Sequence, residues 1–275
     1  LAVLPNNRLA SAPYDRDIII WNFETGESIR TLIHSGRIMC LATLVDGKLA
    51  SGSDDNTIKI WNVETGQEIR TLTGHSSSVY GLAVLPDGRL ASVSADHTVK
   101  IWNAETGKVI RTLTGHSDWV HPVAILSDDR LASGSGDKTI KIWNVETGQV
   151  IRTLYGHSSY VNTLALLPDG RLASGSSDHT IKIWNVETGE VIRTLSGHSN
   201  SIYGLVVLPD GRLASGSWDH TIKIWKIETG QAINTLTGHS AAVWFLAVLP
   251  NGRLASASGD HTVKIWFMLN VDDST

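Results

Sequence analysis

The sequence of 275 residues holds a single cysteine, no block of basic residues and no apolar run long enough to span a membrane. Each shortage excludes something. Cys40 has no partner for an internal disulfide, and its place in an apolar strand marks a small core residue rather than a nucleophile. Lysines and arginines come one or two at a time, and the formal net charge is −4. Neither a nucleic-acid groove nor an anionic membrane surface is therefore the expected partner. A membrane-spanning helix needs about 20 apolar residues in succession, and no such run exists. Residues 1–20 carry no basic-then-apolar leader, but Leu1 opens in the middle of a repeat, so that absence carries no weight. Walker-type, dinucleotide and zinc spacings are missing too, and no cofactor or metal is expected.

What is present is a repeat. Trp21, Trp61, Trp102, Trp143, Trp184, Trp225 and Trp266 are spaced 40 residues once and 41 residues five times. A period of about 40 to 45 residues broken into four short strand-like runs signals a β-propeller with one blade per repeat. The unit reads most cleanly at residues 156–195. Val161 to Leu167 is nearly continuous apolar sequence, as in a strand buried on both faces. Pro168-Asp169-Gly170 is turn chemistry, Leu172 to Ser176 a strand of small residues, and Thr180 to Trp184 a β-branched strand with period two. Glu187-Thr188-Gly189 then turns into an outer strand ending at Leu195. The expected fold is all-β: a seven-bladed β-propeller of four-stranded antiparallel blades, one domain over residues 1–275.

Closure of the ring is less regular. Thr-Leu pairs mark outer strands at Thr31, Thr71, Thr112, Thr153, Thr194 and Thr235, with no seventh pair. The last blade thus lacks a motif-matching outer strand. Residues 1–5 match the inner strand of the first blade, so they are not expected to complete the seventh. Three regular strands are expected there, with residues 268–271 adding a short irregular fourth or trailing off. The first linker, Ile33-His34-Ser35-Gly36, is one residue short and has no glycine before histidine, so the first two blades should join irregularly. Pro122 falls in an inner strand, where proline is tolerable because that strand is an edge facing the channel.

A polar set recurs with the tryptophans. His34, His75, His116, His157, His198 and His239 precede Asp55, Asp96, Asp137, Asp178, Asp219 and Asp260 by 21 residues each. Every one of those aspartates precedes its tryptophan by six. The hairpin brings histidine and aspartate to the end opposite Pro168-Asp169-Gly170, and a chain Trp to Ser to His to Asp is chemically matched donor to acceptor. A repeated His/Asp/Ser trio suggests hydrolysis, but a catalytic site is unique within a domain and this set recurs blade after blade. Nor does it make a metal site, since each blade offers two ligands where three or four must converge. A buried structural network is the reading, and no catalytic residue is assigned.

Gly-His, Leu-Ala-Ser-Gly-Ser-x-Asp and Ile-Lys-Ile-Trp together resemble the WD40 repeat family over residues 1–267. The resemblance implies a structural role for the Asp-His-Ser-Trp set. It departs after the tryptophan, where this chain has Asn22, Asn62, Asn103, Asn144 and Asn185, then Lys226 and Phe267, and in the first blade, where Asp15 has no matching histidine. In members such as heterotrimeric G-protein β subunits, partners dock around the channel mouth.

The positions that vary within this constant frame are the candidates for function. They flank the start of each inner strand or precede the aspartate: Tyr14, Arg37, Met39, Tyr80, Trp119, His121, Tyr160, Asn162, Tyr203, Trp218 and Trp244. The three tryptophans outside the anchor set, Trp119, Trp218 and Trp244, all fall here, and aromatic side chains are the usual anchors of interfaces. The leading reading is a non-catalytic scaffold that binds a protein or peptide on this face, without nucleic acid or membrane. It is expected to be a monomeric domain, free-standing or part of a larger signalling protein, in the cytoplasm or else the nucleus. The alternative is a propeller enzyme or small-ligand binder using the channel mouth. A deep polar cavity with perturbed carboxylates would favour the enzyme, and a shallow aromatic one the scaffold.

Overall fold

A computed structural model describes residues 1–12, 15–127 and 129–267. Strands follow one another as antiparallel meanders, giving six four-stranded sheets and one three-stranded sheet in ring order. This is the expected seven-bladed propeller. In the fifth blade the inner strand is Val161–Leu166, the second Leu172–Ser176, the third Thr180–Trp184 and the outer Val191–Ser196. Registers such as Leu172 opposite Trp184 put the anchor tryptophan at the lower end of the hairpin.

The core lies between blades. Buried side chains form seven clusters, each drawn from two neighbouring blades. Trp225 of the sixth blade, for example, packs with Ala173 and Ile183 of the fifth. The glycine before each of the five later histidines makes room for such a tryptophan: a Cβ on Gly115, at φ +155°, would lie 3.3 Å from the Trp143 ring.

Among the described residues the ring closes without strand exchange. Ala2–Leu4 pairs with Arg8–Ser11 as the inner strand of the first blade, and it lies beside the inner strands of both the second and the seventh. Leu9 and Phe23 of the first blade bury against Leu249 and Ala255 of the seventh. The lower-face ion pairs repeat the register. Arg89–Glu146, Arg130–Glu187 and Arg171–Glu228 each join a blade to the next, and Arg253–Glu24 at 2.9 Å joins the last to the first. Among the described residues the seventh blade has three strands, Val243–Val248, Leu254–Ser258 and Val263–Trp266. The third of these is only partly covered along its whole length, whereas its counterpart Ile222, Ile224 and Trp225 in the sixth blade is buried. Residues 268–271, expected to supply or forgo the fourth strand, lie outside the described residues.

Candidate functional site

The upper ends of the hairpins are pinned by the recurring polar set. In the fifth blade Trp184 Nε1 donates to Ser174 Oγ at 2.7 Å, Ser174 Oγ lies 2.6 Å from His157 Nε2, and His157 Nδ1 lies 2.7 Å from Asp178 Oδ2. Since the serine oxygen accepts from tryptophan, its own proton serves His157 Nε2, and Nδ1–H donates to the carboxylate. The same chain runs through His75–Asp96, His116–Asp137, His198–Asp219 and His239–Asp260. The rings are buried. Desolvation by itself would raise the Asp178 carboxyl. Hydrogen bonds from His157, Thr180 and the Ser158 amide outweigh it and hold the group well below the usual carboxylate range.

The second blade differs, as its short linker predicts. His34 Nδ1 stands 3.3 Å from Asp55, and Ser35 Oγ takes up the carboxylate instead. His34 Nε2 has no partner although it is buried, while Ser51 still accepts from Trp61. The missing glycine leaves the chain too short to seat the ring on its serine.

Two further members of the network escaped sequence reasoning. In the third to seventh blades the second serine of the Ser-x-Ser run accepts from the aspartate amide and donates to a loop carbonyl: Ser135 Oγ accepts from Asp137 N and donates to Asp118 O, at 3.0 Å each. The threonine two residues after each aspartate caps its other oxygen, Thr180 Oγ1 to Asp178 Oδ1 being 2.6 Å. The recurrent spacings Ser-x-Asp and Asp-x-Thr were the available signal.

Above this pinned layer, six inner strands carry a β-bulge at their start. Ile38 pairs with Ser53 and Cys40 with Gly52, leaving Met39 as the extra residue. Tyr80, Asn162, Tyr203 and Trp244 occupy the same place in their blades. In the fourth blade the irregular stretch holds His121 and Pro122, so the proline sits where the ladder is already broken. A bulge turns its residue out of the pleat. Here it aims six variable side chains at the channel mouth.

The aromatic ones meet. Tyr80 stacks on His121 at 5.2 Å and tilts against Trp119 at 6.1 Å; His121 reaches Tyr203 edge-on at 6.1 Å. Tyr203 stacks on Trp218 at 5.6 Å, and Trp244 stands edge-on to both at 5.0 and 5.4 Å. Six rings thus form one unbroken chain across the mouth. Trp119 is 54 % exposed, Tyr160 51 % and Trp218 41 %. Asn162 is buried, with its amide donating to Ser177 Oγ and the Ile202 carbonyl. Arg37 is half-exposed, with Nε 4.0 Å from Asp54. Tyr14 lies outside the described residues.

A cavity of about 1030 Å³ opens among these rings and runs down the channel to the seam between the first and seventh blades. It is deeper than the shallow surface expected of a scaffold, yet its walls are mostly apolar and aromatic. Among the described residues Asp118 is the one acidic side chain lining it, and no lysine or arginine does. A carboxylate pair for acid–base chemistry is not assembled there. Burial pushes the Cys40 thiol in the channel wall up to about 12, which leaves it protonated. The face as a whole is acidic. Asp15, Asp17, Asp54, Asp55, Asp96, Asp118, Asp137, Asp178, Asp219 and Asp260 stand on it against Arg16, Arg37 and Lys138. No group of three or more potential metal ligands occurs among the described residues.

The family model for the WD domain, G-beta repeat, matches residues 26–62, 66–103, 107–144, 148–185, 189–226 and 230–266. The chain belongs to the WD40 repeat family. Each match starts in the turn before one blade's outer strand and ends near the next blade's anchor tryptophan, so six matches account for all but the first three strands. Propellers of this family are in general protein-interaction scaffolds rather than enzymes. A search of curated proteins returned no match. No helix among the described residues is long and apolar enough to cross a membrane.

Proposed function

We propose that this propeller is a non-catalytic scaffold whose upper face docks a protein segment, laid across the channel mouth on the Trp119-to-Trp244 ring chain. The observation that carries this reading is the use of a bulge in six blades to bring variable side chains together at one mouth, four of them, Tyr80, His121, Tyr203 and Trp244, being linked with Trp119 and Trp218 in one chain of ring contacts. Large aromatics held half-exposed on a rigid frame are the usual anchors of interfaces, and a contiguous exposed patch of them signals a binding surface. We place the scaffold in the cytoplasm as a monomeric domain. The size of the cavity favours a second reading, a small-ligand binder using the channel.

Replacing Trp218 and Trp244 together by alanine tests the first. The expected outcome is an unchanged melting temperature with loss of the partners captured by the unaltered chain, each anchor contributing roughly 2 kcal/mol, some thirtyfold in affinity. Retention of every captured partner by the folded double variant puts the binding face elsewhere.

A further inference from the structure

Among the described residues the cavity wall carries one carboxylate and no lysine or arginine. His121 Nδ1 lies 3.0 Å from the Asn162 carbonyl, so Nδ1 carries the proton and donates, and Nε2 is left as a lone pair. Burial lowers the pKa of this imidazole, which keeps it neutral. Among the described residues Nε2 has no hydrogen-bond partner, and the ring lines the cavity. Tyr80 and Tyr203 flank it with their π-faces and edges, and the Asp118 carboxylate stands on the same lining. Asp118 is held in place by its own bond from the Trp119 amide at 2.7 Å, and it lies close against Gly136, where a Cβ would come within 2.8 Å of its carboxyl carbon.

Among the described residues, an anion entering this mouth meets no lysine or arginine. A purely apolar side chain leaves the Asp118 charge uncompensated and the His121 lone pair without a donor. A long cation suits this lining: its stem would lie along apolar wall, its head would pair with the carboxylate or the imidazole nitrogen, and the aromatic faces would attract it. The rings touch one another at 5.0 to 6.1 Å, too close to enclose a cation between them, so they act as a floor rather than a cage. Beyond the mouth the surrounding acidic face adds long-range attraction.

We infer that the segment docked on this face is basic, and that it inserts an arginine or lysine side chain into the mouth between Asp118, His121 and Tyr203. The inference rests on the docking reading above.

The test screens the intact chain against an immobilised library of short peptides randomised at every position. Hits are measured by fluorescence anisotropy against the unaltered chain, the Trp218→Ala/Trp244→Ala variant and Asp118→Asn. Arginine or lysine should be enriched in rim-dependent hits. Asp118→Asn keeps an acceptor for the Trp119 amide, so the fold is retained; it should weaken these hits about tenfold and flatten their salt dependence. Enrichment of acidic or purely apolar peptides that still need the tryptophans overturns the cationic inference and leaves the docking reading standing. Basic hits that bind Asp118→Asn as tightly also overturn it, since the mouth would not be their receptor. Hits that ignore the tryptophans altogether overturn both.

Discussion

Asp178 is the residue at which the network can be measured most cleanly. Its carboxylate accepts from His157 Nδ1 at 2.7 Å, from the Ser158 and Thr180 amides at 3.0 Å, and from Thr180 Oγ1 at 2.6 Å. Alanine removes both acceptor oxygens and with them all four hydrogen bonds. The two amides lie at the surface end of the hairpin, where water replaces the lost oxygen at small cost. The His157 ring is fully covered, so its Nδ1–H is left buried without a partner, which costs about 1–3 kcal/mol. Asp178→Ala should therefore destabilise by about 2–3 kcal/mol, and His157→Ala by a similar amount, because each leaves the other unsatisfied. Asp55→Ala in the second blade should cost about 1 kcal/mol, since His34 is already 3.3 Å away and lacks its serine bond. Asp15→Ala, in the blade without a histidine, should fall within about 0.5 kcal/mol of the parent. Urea unfolding followed by tryptophan fluorescence gives the ranking. Equal losses at Asp178, Asp55 and Asp15, or none at Asp178, would refute the account of a blade-by-blade hydrogen-bond chain.

Acid should unfold the ring through the same carboxyls. Asp96, Asp137, Asp178, Asp219 and Asp260 have folded pKa values depressed below the unfolded value of about 3.9. Their contribution is therefore complete above that pH and is lost as pH falls from about 5 toward the folded values. The urea midpoint should drop steeply between about pH 5 and 3 and less steeply in Asp178→Ala; a flat profile for the parent chain contradicts this. Hydrogen exchange should be fastest at the seam of the first and seventh blades, where the cluster has four fully buried members and the third strand of the seventh blade is only partly covered. Equal protection at that seam and between the fifth and sixth blades would count against it.

The frame was legible because it is periodic. Each blade solves the same packing problem, so tryptophan, small-residue strand and His/Asp pair recur at fixed offsets, and the short linker before His34 stood out against five regular ones. What was illegible was local backbone geometry. Nothing in Val-Tyr-Gly or Ile-Tyr-Gly announces a bulge, because the extra residue appears only when two strands are paired and counted. Sequence alone placed Tyr80 and Tyr203 near the rim by position; the bulge explains why they point into the mouth. Asn162 and His121 show the other limit. As letters they look like equivalent polar contacts, yet one has its amide committed between blades and the other keeps a lone pair toward the cavity. The distinction depends on a bond from His121 Nδ1 to a carbonyl 41 residues away.

Network and face are mechanically joined, and this bears on how variants must be read. Ser135 ties Asp137 to the carbonyl of Asp118, so the residue that would receive a cation is fixed to the same hairpin tip that the buried histidine holds. Asp137→Ala should thus disturb both stability and binding, whereas Asp118→Asn touches the mouth alone. A loss of binding in a network variant says nothing about contact with a partner unless the mouth variants lose it too. The two layers are separable for the same reason: the bulged residues differ among most blades while the layer beneath them repeats its four-membered chain in five of the blades. This separation lets one repeated frame carry a face whose side chains change around the ring.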